Sequence, residues 1–460
     1  MIRIGMVAAL VALLGGCAIS PPPTTSPLCN FTRYHLAVDN PPADILETAP
    51  EATMSSVLRS AMSASASEES TAVEPPSLLF LSGGSQHGAF GAGVLAGWQA
   101  NGGGRLPRFQ TVTGISTGAI LATFAFIDRP DVAAREYAIS KESELLIPFV
   151  KLDPQGKLTK GSYLKLARKG AVADLSPLKD KLLAVLDRPV MEAVAARAAE
   201  GRKLLVGVVD VDQGQAVALD LTDLAQRYFA PRAGETPESV RSCYADAIVA
   251  SSSAPMAAQP VFLDNRMYVD GGVRFGAFSD EIGQVIGDSE AAFARSRAAA
   301  PTPRARAEMD AIAPETYLIV NGDQEIAAQC GKVGKPTCEP SYRIEGAHAD
   351  WNFLDLALRS EQILVNQVYR FSADRIRLHA GAAGGHLHFA LIGPDKNGWA
   401  YTFPPGDPLD SGTRTCDEWR QRDRELLNPI QFFPRYMRCL IDYGRAKGRA
   451  FPPPIHQHQG

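Results

Sequence analysis

Short apolar runs alternate with longer amphipathic stretches along most of this chain, and that alternation narrows what it can fold into. Leu78–Leu81, Phe109–Thr113, Leu204–Val209, Tyr317–Val320 and His388–Ile392 are four to six residues long, too short for helices, and read as buried strands. Ala89–Gln99, Ala119–Phe126, Leu178–Leu186, Val190–Ala199 and Asn352–Phe371 carry helical patterns. The alternation predicts an α/β sandwich with a largely parallel sheet. A chain of 460 residues, 45% of them hydrophobic, can bury a large core and form one large or two to three ordinary domains. With 46 Lys and Arg against 50 Asp and Glu, it lacks the basic surplus that a nucleic-acid partner requires.

The N-terminus reads as an export signal, with Arg3 ahead of the apolar stretch Met6–Leu14. That stretch is short of the roughly 20 residues a lasting membrane-spanning helix needs. Leu14-Gly15-Gly16-Cys17 resembles the lipobox of bacterial lipoproteins, which implies cleavage before Cys17 and lipid on its sulfur. An ordinary cleaved signal beside a free cysteine is the alternative. Ala18, in place of an inner-membrane retention Asp, favours the outer membrane of the cell envelope. The longest uncharged stretches further on, Ser77–Gly104 and Phe109–Ile127, are broken by glycines and polar side chains, so the protein is expected to be anchored rather than threaded. Pro21–Pro27 reads as an extended spacer, Asp44–Arg59 as a short helix and Ser60–Pro76 as low complexity. The expected layout is a signal over 1–16, a lipid-anchored flexible segment over 17–76, a folded core over 77–284, and an extension over 285–460 packing on it. Ser289–Pro314 reads as an exposed insertion.

Three places carry chemistry. Gly114-Ile115-Ser116-Thr117-Gly118 is a G-x-S-x-G between a strand and a helix, the setting in which a strained turn pushes a serine hydroxyl out as a nucleophile. The helix behind it would aim its N-terminus at developing negative charge. Ser82-Gly83-Gly84-Ser85-Gln86-His87-Gly88 also follows a strand, and its backbone N–H groups could converge on an anion. No Gly-Lys-Ser/Thr ending supports a phosphate loop, so an oxyanion hole is the better fit, with a simple packing turn as the alternative. Asp270-Gly271-Gly272 could deliver a carboxylate to an adjacent loop and take a proton, although Asp-Gly is also a common hairpin turn.

Taken together, Leu81–Ala89, Gly114–Gly118 and Asp270–Gly272, with Ala250-Ser251-Ser252-Ser253-Ala254-Pro255, resemble the glycine-rich, nucleophile, D-G-G and A-S-S-x-x-P signatures of the patatin-like phospholipase family. The resemblance spans roughly Ser77 to Ala277. It implies a three-layer α/β/α fold and a hydrolase of lipid acyl esters, of phospholipase A, lysophospholipase or carboxylesterase type, working without metal or cofactor on membrane lipid. Ser116 would be the nucleophile and Asp270 the base and acid. Gly83, Gly84 and Ser85 would form the oxyanion turn, supported by Gly114, Gly118, Gly271, Gly272 and His87. An aspartate with an ordinary pKa near about 3.9 is a weak base, so such a dyad depends on oxyanion support and placement. Two positions depart from the family pattern: Ser85 replaces a glycine, and His87 replaces an Arg or Lys that would carry permanent charge.

Two other readings compete. A Ser–His–Asp triad would recruit His348, His379, His386 or His388, of which His386 and His388 share one strand face in a metal-like spacing that lacks a third ligand. A non-enzymatic lipoprotein would bind an acyl ligand in a dead hydrolase pocket. Further along, Trp351–Tyr369 reads as a core-facing helix that lines or caps an acyl channel, and Phe432–Tyr436 as a packed aromatic patch. His456 and His458 fall in a proline-rich tail. If lipid takes Cys17, six cysteines remain, and six can pair in fifteen ways. Local spacing favours Cys330 with Cys338 and Cys416 with Cys439, leaving Cys29 for Cys243.

Overall fold

A computed structural model describes residues 26–36, 77–153, 158–278, 302–303, 315–322, 353–383 and 386–451. Its central sheet contains β1 (Arg33–His35), β2 (Ser77–Leu81), β3 (Phe109–Ile115), β4 (Lys203–Asp210), β5 (Gln215–Asp220), β6 (Val261–Leu263), β7 (Arg266–Asp270), β8 (Glu315–Val320) and β9 (His386–Leu391). The order is β1-β5-β4-β3-β2-β8-β9, with β7 pairing β4 and β6. Strands β4, β3, β2, β8 and β9 are mutually parallel, whereas β5 and β7 run antiparallel to β4. All five apolar runs are strands of this sheet. Their near-continuous hydrophobicity follows from burial on both faces.

Successive residues of each strand point to opposite faces and enter two separate cores. On one face Leu79, Leu81, Val112, Leu204, Val206 and Ile319 pack with helices α1 (Gly88–Asn101), α2 (Thr117–Phe126), α5 (Leu221–Phe229), α6 (Pro237–Ser251) and α9 (Pro434–Arg449). On the other, Leu78, Phe80, Leu205, Leu318 and Val320 meet Phe275, Phe278 and Ile376, the last from α7 (Phe353–Ala383). The result is the three-layer α/β/α architecture. Between these come α3 (Ser176–Val185) and α4 (Arg188–Ala199), and α8 (Cys416–Leu426) precedes α9.

The layout departs from expectation at both ends. The fold begins before Ser77, because β1 extends the sheet beside β5, and the Asp264 carboxylate accepts the backbone N–H groups of Cys29, Asn30 and Phe31 at 2.6, 2.8 and 3.2 Å. A three-residue strand, Arg-Tyr-His, has no apolar run to announce it. Residues beyond 284 do more than pack on a finished core: β8 and β9 extend the sheet next to β2, and α9 lies against α1 at backbone contact. A Cβ at Gly93 or Gly97 would overlap carbonyls of Ile441 and Arg445, and one at Gly444 or Gly448 would overlap carbonyls of Phe90 and Val94. Helix α7 continues past the expected Phe371 to Ala383.

The Cys29–Cys243 and Cys416–Cys439 disulfides are formed. Cys17, Asp44–Arg59, Cys330, Cys338, His348, His456, His458 and nearly all of Ser289–Pro314 lie outside the described residues. Among the described residues no helix is long and apolar enough to cross a membrane, and no cluster of His, Cys, Asp and Glu could hold a metal ion.

Candidate active site

The register of the sheet brings Ser116 and Asp270 together. Because β5 occupies one side of β4, strands β3 and β7 share the other. Ile115, the last residue of β3, pairs with Gly207, and Asp270, the last of β7, pairs with the next residue, Val208. Neighbouring residues of a strand rise by about 3.3 Å, so a parallel and an antiparallel strand end nose to nose. Ser116 follows Ile115 and is forced out of line, with φ 54° and ψ −124°, before α2 starts at Thr117. A serine with positive φ stores strain of about 1–3 kcal/mol, which the surroundings must hold.

They hold it through the serine-rich end of α6. The Ser116 backbone N–H donates to Ser251 Oγ at 2.9 Å, and that hydroxyl donates to the Gly207 carbonyl at 2.6 Å. Two residues on, the Ser253 carbonyl accepts the Asp270 N–H at 3.0 Å. The Asp270 carboxylate accepts the Gly272 N–H at 2.7 Å, which orients Oδ1. One short segment therefore braces both candidate dyad residues, a role the sequence pattern marked only as a motif. The elbow glycines serve close approach: a Cβ at Gly114 would overlap the Gly118 carbonyl, and one at Gly118 the Leu81 carbonyl. At Gly271, a Cβ would crowd the Gly207 carbonyl at 2.9 Å.

The glycine-rich turn after β2 is clamped by residues from the second half of the chain. Asn321, just past β8, donates its backbone N–H to Ser82 Oγ at 2.9 Å and its Nδ2 to the Ser82 carbonyl at 2.7 Å. Gly84 has φ 154° and no room for a Cβ, which would lie 2.6 Å from the Asn321 carbonyl carbon. Ser85 adopts φ 53°, a left-handed conformation, and its Oγ accepts Gln431 Nε2 at 2.7 Å. The Glu142 carboxylate accepts the N–H groups of Ile430, Gln431 and Phe432 at 3.0, 2.6 and 2.8 Å, fixing the loop that carries Gln431. The serine departure is thus tied down by its own side chain. The His87 ring stands edge-on to Tyr436, with centroids 5.9 Å apart.

Ser116, Asp270, Gly84, Ser85 and His87 line a cavity of about 490 Å³ with walls that include Ile120, Phe124, Leu178, Leu182, Val185, Val365, Tyr369 and Phe432. Leu178, Lys181, Leu182 and Val185 recur at helical spacing, so one face of α3 forms a wall. Lys181 on that wall bridges Glu136 at 2.9 Å and Glu144 at 3.6 Å. Both Ser116 and Asp270 are buried, so reaction there would proceed largely shielded from water. Burial also pushes the Tyr137 hydroxyl well above the usual phenol range. It sits against Thr117 at the start of α2.

Of the four histidines that the competing triad reading would recruit, His388 is the one whose side chain the structure describes. His388 Nε2 lies 2.6 Å from Glu315 Oε2 and its ring stacks on Tyr317, on the sheet and away from the cavity. Among the described side chains, His87 is the histidine that lines the cavity. Sequence reasoning missed Asn321 and Gln431 as site residues, and it placed Tyr369 only within a helix expected to line or cap an acyl channel. No motif marks them, since each reaches the site from a distant part of the chain.

A strained strand–turn–helix serine and a strand-end carboxylate thus line one apolar cavity of an α/β/α fold. Residues 79–278, a little under half of the chain, match the family model described as patatin-like phospholipase. No curated protein matches the sequence. Among solved structures, the crystal structure of VipD from Legionella pneumophila is similar over 54% of this chain and 50% of that chain, with 11% identity and a TM-score of 0.24. The chain thus spans about half the length of that protein.

Proposed function

We propose that this chain hydrolyses acyl esters of lipids through a Ser116–Asp270 dyad. The observation that carries the reading is the pairing of Ile115 and Asp270 with successive residues of β4, which sets the nucleophile turn against the carboxylate. Ser116 Oγ attacks the ester carbonyl while Asp270 takes its proton. The proton then passes to the leaving alcohol, and water repeats the sequence to free the acid. Backbone N–H groups of Gly84 and Ser85 hold the oxyanion, each such donor supplying about 3 kcal/mol. The apolar cavity receives the acyl chain. Product analysis on phospholipids, lysophospholipids and short-chain esters tests this: Ser116→Ala and Asp270→Asn should both lose turnover. Undiminished turnover by Ser116→Ala would refute it, and a folded wild type that resists a fluorophosphonate would favour an acyl-binding lipoprotein.

Lipid on Cys17 holds the enzyme at the envelope membrane in this proposal. The two disulfides support an oxidising compartment. Cys17→Ser should lose incorporated labelled palmitate and leave the membrane fraction, whereas unchanged fractionation would count against the anchor.

A further inference from the structure

Tyr369 belongs to α7, outside the matched residues 79–278, yet it stands at the centre of the site. Three glycines make room for it. A Cβ at Gly83, in the oxyanion turn, would overlap the Tyr369 hydroxyl, as would one at Gly272, in the D-G-G turn. At Gly276 a Cβ would lie 2.6 Å from the Tyr369 Cα. The same point at Gly272 lies 3.1 Å from Asp270 Oδ1, so the phenol oxygen and the carboxylate converge on one small space. Tyr369 is 8% exposed and lines the cavity together with Ser116 and Asp270. Its helix is fixed from below, where Ser372 Oγ accepts the Gly276 N–H at 2.9 Å and Ile376 enters the core.

We infer that Tyr369 is a positioning residue of the dyad, its hydroxyl holding the Asp270 carboxylate and the oxyanion turn in one reactive geometry. The inference rests on the Ser116–Asp270 reading. A phenol O–H is a directional donor, and in a buried site such a donor locks a carboxylate more firmly than it would in water. The glycines of two separate motifs then serve a common purpose, which is to admit one side chain from the far half of the chain. The ring alone would fill the space, so the hydroxyl is the part to test.

Tyr369→Phe keeps the ring and removes only the oxygen. The expected result is a fall in kcat of tenfold or more, with KM within twofold and a single cooperative urea transition retained, and an equal slowing of fluorophosphonate labelling at Ser116. Wild-type kcat and labelling in Tyr369→Phe would overturn the inference and leave the residue a space-filler, as would a change confined to KM. Ser116→Ala assayed in parallel separates the two failures: an active Ser116→Ala removes the dyad itself, whereas an inactive one beside a fully active Tyr369→Phe removes only the role of Tyr369.

Discussion

The three consecutive serines at the end of α6 make different contacts, and their alanine variants should separate accordingly. Ser251 is fully buried, and its hydroxyl accepts from the Ser116 N–H and donates to the Gly207 carbonyl. Ser252 and Ser253 hydroxyls bond back to the helix carbonyls of Ile248 and Val249, and Ser253 reaches Asp270 only through its own carbonyl, which alanine retains. Ser251→Ala removes two buried hydrogen bonds, each with a net contribution of about 1 kcal/mol, and leaves the elbow N–H unsatisfied at a further cost of about 1–3 kcal/mol. The expected loss of stability is about 3–5 kcal/mol, against the roughly 5–15 kcal/mol of a folded domain. Because the bonds hold a strained turn, kcat should also fall by about tenfold to a hundredfold, equivalent to about 1.4–2.8 kcal/mol. Urea denaturation with an unchanged m-value reports the first effect, and ester turnover the second. Ser252→Ala should stay within about 0.5 kcal/mol of wild type and Ser253→Ala, which loses one buried hydrogen bond, within about 1 kcal/mol, both keeping most of their activity. If Ser251→Ala behaves like the other two, the bracing argument is wrong.

Gly97→Ala and Gly444→Ala place a methyl against the facing helix backbone, so each should destabilise by about 1–3 kcal/mol, seen as a lower Tm, without a matching change in KM. Replacing Cys29 and Cys243, 214 residues apart, by serine should cost more stability than replacing Cys416 and Cys439, 23 residues apart, within a range of about 2–5 kcal/mol. The Arg227 guanidinium holds the Glu235 carboxyl below the usual carboxylate range. Arg227 also binds the carbonyls of Cys29 and Asn30. A lowered folded pKa means that this stabilisation is present above the ordinary Glu value and is lost as pH falls through the folded one. The stability gap between wild type and Glu235→Gln, measured in urea, should therefore be largest near neutrality and shrink in acid.

Local chemistry makes the strands, the elbow and the glycine-rich turn legible in the sequence alone. Runs such as Leu78–Leu81 betray burial on both faces, and Gly114-x-Ser116-x-Gly118 between a strand and a helix has few structural outcomes. Cysteine spacing led to Cys416–Cys439, and Cys29–Cys243 followed as the remaining pair. Periodicity and turn preference are properties of neighbouring residues, so sequence alone carries them. The meeting of Ser116 with Asp270 is of another kind, since it depends on β7 returning antiparallel along the edge of β4 that β3 leaves free, with its final pair one residue beyond that of β3. Asn321, Tyr369 and Gln431 reach the same turns from β8, α7 and the loop before α9. Such contacts are made across hundreds of residues by sheet register and helix packing, and only the tertiary structure decides them.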